Sequence, residues 1–313
     1  MKNFMLMKKL LFILTILVVA FQSCKETVET TSEISENLRP EIEEKQPKEE
    51  LSQAFKDYWY AGEAEITSYK LEQARYGEIR DGKAVLVFVT EDFLPDVQVK
   101  ADNYSDKNTP VLKLNATKKF NTGIYPYSIM QSTFFPVANN QHAVKVSASI
   151  QEWCGHVYTQ LNNRNQFEIM SHSYFQGEAD QNFKLGKTWT ENELWTKLRI
   201  NPSTLPVGEI SIIPSLEFIR LSHKDIKAYK AFANLTDGTY TLNYPELNRS
   251  LKINYNTVFP FEILSWEETS TSGFGASAKT LTTKATKLET IKSTYWNKNN
   301  NVDESLRTTL KLQ

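Results

Sequence analysis

Four side chains in one stretch have the types and spacing for chemistry: Glu152, Cys154, His156 and His172. On an extended strand residues i and i+2 point the same way, so Glu152, Cys154 and His156 share one face. Two chemistries suit the set. A cysteine thiolate becomes a nucleophile when a neighbouring base or cation lowers its pKa, a role open to His156 or His172. Three or four Cys, His and Glu ligands would instead satisfy zinc. The catalytic and metal candidates are therefore Glu152, Cys154, His156 and His172. The plainer alternative leaves Cys154 as a small buried residue and the histidines bonded to backbone groups. His142 and His223 lie apart from the set and read as incidental.

A hairpin must bring these residues together. Trp153, Val157 and Leu161, then Phe167, Ile169 and Phe175, recur with the period of half-buried strands. Between them Asn162-Asn163-Arg164-Asn165-Gln166 is rich in residues that favour turns. A five-residue loop over 162–166 sets Leu161 opposite Phe167, Thr159 opposite Ile169, Trp153 opposite Phe175 and His156 opposite His172, with the apolar side chains on one face. A four-residue loop would mix the faces, which burial disfavours. Upstream, Val144, Val146, Ala148 and Ile150 fall on even positions. The apolar phase thus flips between Ile150 and Trp153, as a β-bulge or strand break would produce. Gly155 just beyond allows a close approach.

The elements around the hairpin read mainly as strands. Segments 63–71, 83–90, 97–101, 111–114, 128–135, 240–244, 251–255, 259–266 and 280–295 alternate or run apolar. Lys83 to Thr90 is apolar enough to be covered on both faces. Two short helices are expected. One starts at Thr190, with Glu193 completing a capping box and Leu194 and Leu198 on its apolar face. The other spans 222–233, and residues 52–60 fit a short helical entry. The prolines and glycine over 202–214 suit a subdomain boundary or a loop within one domain. Many consecutive strands with few crossovers imply a mainly β fold: a curved antiparallel sheet, as half-barrel or sandwich.

The chain start gives an address. Lys2, Lys8 and Lys9 precede an apolar run from Leu10 to Phe21, too short to span a bilayer comfortably. Residues 1–23 read as a signal peptide. Phe21-Gln22-Ser23-Cys24 resembles a bacterial lipoprotein processing site, with Phe21 in place of the usual Leu, and Cys24 is the expected lipidation site. Residues 24–52 form an acidic tether; from Lys25 to Glu50 nine acidic residues face four basic ones, and such a segment cannot bury enough to order itself. Lys25-Glu26 resembles the start of a surface-export signal. Residues 53–313 are the β-rich globular region. From residue 51 onward 29 basic and 28 acidic residues balance, so no nucleic-acid partner is implied. With Cys24 lipidated, Cys154 has no disulfide partner within the chain. There is no P-loop, dinucleotide fingerprint or G-x-S-x-G elbow, and no cofactor follows from motif.

The stretches AFKDYWYAGEAEITSYKLEQARYGEIRDGKAVLVFVTEDF, TGIYPYS, QEWCGHVYTQ and SHSYF resemble an uncharacterised family of Bacteroidota lipoproteins. Some of its members are labelled septum formation inhibitor Maf. Maf enzymes are cytoplasmic nucleotide pyrophosphatases with an S-x-S-x-R-R motif, which this exported chain lacks, so that label is rejected. The resemblance implies a cell-envelope lipoprotein at the outer membrane, held by lipidated Cys24, and no activity. The expected role is binding or scaffolding, with a concave sheet offered to a lipid, glycan or envelope protein. The alternative is an envelope hydrolase or metal-dependent enzyme centred on Glu152, Cys154, His156 and His172.

Overall fold

The computed structural model describes residues 50–138 and 141–313. The signal peptide (1–23), Cys24 and nearly all of the acidic tether lie outside the described residues. A short helix, α1 (Gln53–Trp59), opens the fold, capped by Ser52, whose Oγ accepts from Phe55 N. Then follow β1 (Ala64–Arg75), β2 (Glu78–Leu94), β3 (Val99–Lys100), β4 (Thr109–Thr122), β5 (Tyr125–Pro136), β6 (Lys145–Glu152), β7 (Gly155–Asn163), β8 (Phe167–His172), β9 (Gln181–Leu185) and β10 (Trp189–Thr190). Helix α2 (Glu191–Ile200), β11 (Gly208–Ile213) and helix α3 (Leu216–Leu221) come next. The chain ends with β12 (Tyr229–Thr236), β13 (Thr239–Tyr244), β14 (Arg249–Tyr255), β15 (Ile263–Ser272), β16 (Lys279–Ser293) and α4 (Ser305–Thr309).

The sixteen strands among the described residues belong to one curved, unclosed sheet. Its order is β10-β11-β12-β13-β14-β15-β16-β1-β2-β4-β5-β6-β7-β8-β9, with β3 on the side of β2. Neighbours pair antiparallel except β10 and β11. Segment 202–214 includes β11, itself a strand of that sheet. The two edge strands, β9 and β10, are consecutive in sequence. Only Gly186-Lys187-Thr188 joins them, so at one end the edges lie within about 14 Å of each other, the reach of four extended residues. Local sequence explains the register: Arg75 pairs with Glu78 around Tyr76-Gly77, both at positive φ (55° and 77°), as the right-handed twist of a two-residue hairpin requires.

The main core lies between the sheet and helices α2 and α3, with Leu194, Leu198, Phe218 and Ile219 against residues such as Leu86, Leu114, Ile129 and Leu251. A second, small cluster of Ala64, Ile66, Val89 and Leu310 has Val85 and Val87 packed against it. That cluster explains why β2 is apolar on both faces. Helix α2 is buried nearly all round, charges included: Glu191, Glu193, Lys197 and Arg199 are each at most 2% exposed. Arg199 grips both oxygens of Glu65 on β1, and Arg249 of β14 grips both of Glu191. A buried charge survives only when paired and hydrogen-bonded, and these pairs tie the helix to both halves of the sheet.

Several expectations need correction. Among the described residues four short α-helices are present rather than two. The capping box at Thr190 and Glu193 is formed, and α1 lies where an entry helix was expected. Segment 222–233 is not a helix: Tyr229, Ala231 and Ala233 are buried at strand spacing within β12. The second interior helix is α3, capped by Ser215. Strand β15 starts at Ile263, after a cis Phe259-Pro260 bond, rather than at Phe259.

Candidate functional site

The structure separates the four residues that the sequence grouped. The phase flip after Ile150 marks a hairpin turn: Glu152 pairs with Gly155 around Trp153-Cys154, which are exposed. Trp153 is 68% exposed and does not face Phe175 in the core. Between β7 and β8 the pairs are Leu161 with Ile169, Asn163 with Phe167 and Tyr158 with His172, so the loop is Arg164-Asn165-Gln166. The register is two residues from the one expected. Because the shift is even, the faces are as expected, with Val157, Leu161, Phe167 and Ile169 buried, but His156 is not opposite His172. His156 Nε2 lies 2.9 Å from Ser149 Oγ, and His172 Nδ1 lies 3.3 Å from Asp180. Cys154 and Glu152 do meet, but through Cys154 N, which donates to Glu152 Oε2 at 2.7 Å. The Glu152 carboxylate, by hydrogen bond and then by charge, pushes the Cys154 thiol up, away from thiolate chemistry. Among the described residues no three His, Cys, Asp or Glu side chains form a group that could hold a metal ion. Gly155 does permit a close approach, since an added Cβ would sit 2.6 Å from Cγ of Tyr174.

A different site is built inside the sheet's curve. A cavity of about 380 Å³ is lined by the end of β1, the 270–274 end of β15, α3 and the 246–248 turn. An inner cavity of about 50 Å³, large enough for a few waters, lies between α2, α3 and strands including β4 and β5. Glu217 and Glu268 line both. Lys118 Nζ bonds Glu217 Oε1 at 2.7 Å, and Gln131 Nε2 donates to Glu217 Oε2 at 3.0 Å. Arg249 Nε bonds Glu268 Oε1 at 2.8 Å. Burial pushes Glu217 above the ordinary carboxylate range even with Lys118 beside it. Burial pushes Glu268 up too, but Arg249 and Lys118 outweigh it and hold that carboxyl low. Two acids lining the same space are thus driven apart, one toward the neutral form and one toward the charged form.

Two side chains in the lining of the outer cavity each carry a buried polar atom without a partner. Gln73 and Arg75, 6% and 8% exposed, both line it, and Gln73 Oε1 and Arg75 Nε have no hydrogen-bond partner. The sequence held a signal for them. Tyr69, Leu71, Gln73 and Arg75 are all buried at alternate positions of β1, so an amide and a guanidinium occupy the core phase. A third cavity, of about 480 Å³, is lined by Leu216, Ile219 and Arg220 of α3, with Arg220 stacked 3.9 Å above Phe175 and paired to Glu178.

No family model matches the chain, and no curated protein does. Among solved structures it is similar to a β-barrel-like protein of domain of unknown function DUF1849 from Brucella abortus, at 8% identity and a TM-score of 0.41 over 73% of this chain and 96% of that one. It is also similar to a porin-like protein from Bacteroides uniformis, at 9% identity and a TM-score of 0.20 over 72% and 95%.

Proposed function

We propose that the chain is a ligand-binding module of the bacterial cell envelope, anchored through a lipidated Cys24, whose site is the cavity between the sheet and α3. One observation supports it above the others: a cavity of about 380 Å³, within the size range of small-molecule sites, keeps buried polar groups without partners. The envelope address rests on the signal-peptide and lipoprotein pattern of residues 1–24. Native mass spectrometry of the full chain purified from envelope membranes tests the binding role. Thr271 is exposed and lines the cavity, so Thr271→Trp obstructs it. A dissociable added mass present on the natural chain and missing from that variant supports the reading; a bare natural chain sinks it. The anchor is tested by metabolic palmitate labelling, which Cys24→Ser must abolish.

A second reading, hydrolysis of a bond in the bound ligand, draws on the opposed shifts of Glu217 and Glu268, the pattern that separates a general acid from a general base. It requires turnover of the bound species that Glu268→Gln removes while binding persists.

A further inference from the structure

We infer that the outer cavity takes a polyhydroxylated anion, a sugar bearing a carboxylate or a phosphate, and that Arg75 holds its charge; this rests on the binding reading above. Four arginines are buried among the described residues: Arg75, Arg199, Arg220 and Arg249. Three have carboxylates: Arg199 has Glu65, Arg220 has Glu178, and Arg249 has Glu191 and Glu268. Arg75 has neutral partners alone. Its Nη1 donates to Leu221 O at 2.7 Å, and its Nη2 to the hydroxyls of Tyr76 and Tyr127 at 3.1 Å each. The rings of the same two tyrosines lie 4.2 and 5.3 Å from its Cζ. Nε is left without a partner. A guanidinium taken out of water needs a compensating anion, and here none of the described side chains supplies one.

The acids that share the cavity are already engaged. Lys118 holds Glu217, Arg249 holds Glu268, and Lys227 lies 3.5 Å from Glu246. Lys224, exposed in the cavity lining, adds a further positive charge. With Nη1 and Nη2 engaged, Arg75 keeps its Nε–H for one carboxylate or phosphate oxygen, as a charge-assisted bond.

Gln73 specifies the rest of the ligand. It stands two residues before Arg75 on β1, hence on the same face about 7 Å away along the strand. Its Nε2 is spent on Ala74 O and Thr283 Oγ1, and its Oε1 awaits a donor. The missing partners are thus an anionic acceptor and, a few ångströms off, a hydroxyl donor. Ser222, Ser270 and Thr271 add hydroxyls to the lining, which suits a ligand with several of its own. A sugar acid or sugar phosphate meets each demand.

Isothermal titration of the full chain with glucuronate, glucose-6-phosphate and glucose tests this. At least one anion is expected to bind about tenfold or more tighter than glucose, the worth of one charge-assisted hydrogen bond. Which anion binds tighter distinguishes a carboxylate ligand from a phosphate. Arg75→Gln is expected to weaken the anions by about tenfold and to leave glucose within about twofold. Equal affinity for glucose and the anions overturns the inference, as does an anion affinity that Arg75→Gln leaves unchanged. Should Arg75→Gln not fold, the ratio of anion to glucose on the natural chain decides. If glucose alone binds and Thr271→Trp stops it, the cavity still binds ligands and only the charge assignment fails. No binding by any of the three overturns the anionic-sugar inference, and the native mass spectrum then judges the binding role separately.

Discussion

Cys154 shows how far residue type and spacing reach. The sequence identifies the middle of β7 and β8 and their buried face of Val157, Leu161, Phe167 and Ile169, but not their outer ends, where Trp153 lies on an exposed turn and Phe175 lies beyond β8. The register fails too, because a two-residue slip conserves the faces and burial cannot distinguish the alternatives. The decision falls to the loop, where Arg164 N donates to Gln166 O and closes a tighter turn than the asparagines suggest. Cys154 then sits on an exposed hairpin tip, where the plainer expectation of a buried cysteine fails as well. Two consequences can be measured. Cys154→Ser should leave unfolding free energy within about 0.5 kcal/mol of the natural chain, as exposed substitutions do. The folded thiol should react with a disulfide reagent, with a pH–rate midpoint above that of a free thiol, because Glu152 raises it. Glu152→Gln should bring that midpoint back down. A midpoint below about 8 on the natural chain would refute the electrostatic account, since an unperturbed thiol titrates near 8.5.

At the scale of elements, α2 and α3 differ in what the sequence discloses. Helix α2 announces its start through Thr190 and Glu193, and Glu193 does more than cap: its Oε2 accepts from Ala143 N, and its Oε1 lies 2.9 Å from His142 Nδ1. Helix α3 is six residues long and follows Pro214, too short for helical periodicity to emerge, while the strand pattern of Tyr229, Ala231 and Ala233 hides among lysines that suit a helix equally. The burial of α2's charges was not legible at all, since their partners, Glu65 and Arg249, come from strands far away in sequence. Those partners carry a prediction. Burial pushes Glu65 up, but the Arg199 guanidinium outweighs it and holds the carboxyl below its ordinary value. A carboxylate depressed on folding contributes stability that is present above its unfolded pKa, near 4.3, and is lost as pH falls through the folded value. Glu65→Gln, which strands the Arg199 charge, should cost about 3–5 kcal/mol at neutral pH. Its unfolding free energy should also decline less steeply than the natural chain's as pH drops below about 4. Denaturant titrations of both chains across that range check the sign; parallel declines would mean that the ion pair contributes nothing to acid sensitivity.

For the whole molecule, the unknown in the sequence was the cavity, because its walls come from β1, β15, α3 and the 246–248 turn, which only the folded sheet brings together. Near the middle of the sheet, one close backbone contact leads toward the cavity. Gly82 on β2 pairs with Phe120 on β4, and a Cβ added there would lie 2.4 Å from Lys119 O and 2.8 Å from Phe120 Cβ. The Phe120 ring stacks on Tyr127 at 4.9 Å and 6°, and the Tyr127 hydroxyl accepts from Arg75. A chain of contacts thus runs from the closest approach of β2 and β4 to the guanidinium in the cavity. Gly82→Ala forces backbone apart rather than a flexible side chain, so it should destabilise by about 1–3 kcal/mol, the usual cost of overpacking. It should also displace Phe120 and Tyr127, and with them the donors of Arg75, so that anion binding weakens together with stability. Gly186→Ala is the control: the residue lies on the short link between the sheet's edges, and no atom lies within 4 Å of where its Cβ would be. Denaturant unfolding and anion titration on both variants separate the effects. If Gly82→Ala loses stability with its anion affinity intact, the stacked rings transmit nothing and Arg75 is positioned by Leu221 and Tyr76 alone. If both fall while Gly186→Ala leaves both unchanged, the β2–β4 contact sets the position of Arg75 through the stacked rings of Phe120 and Tyr127.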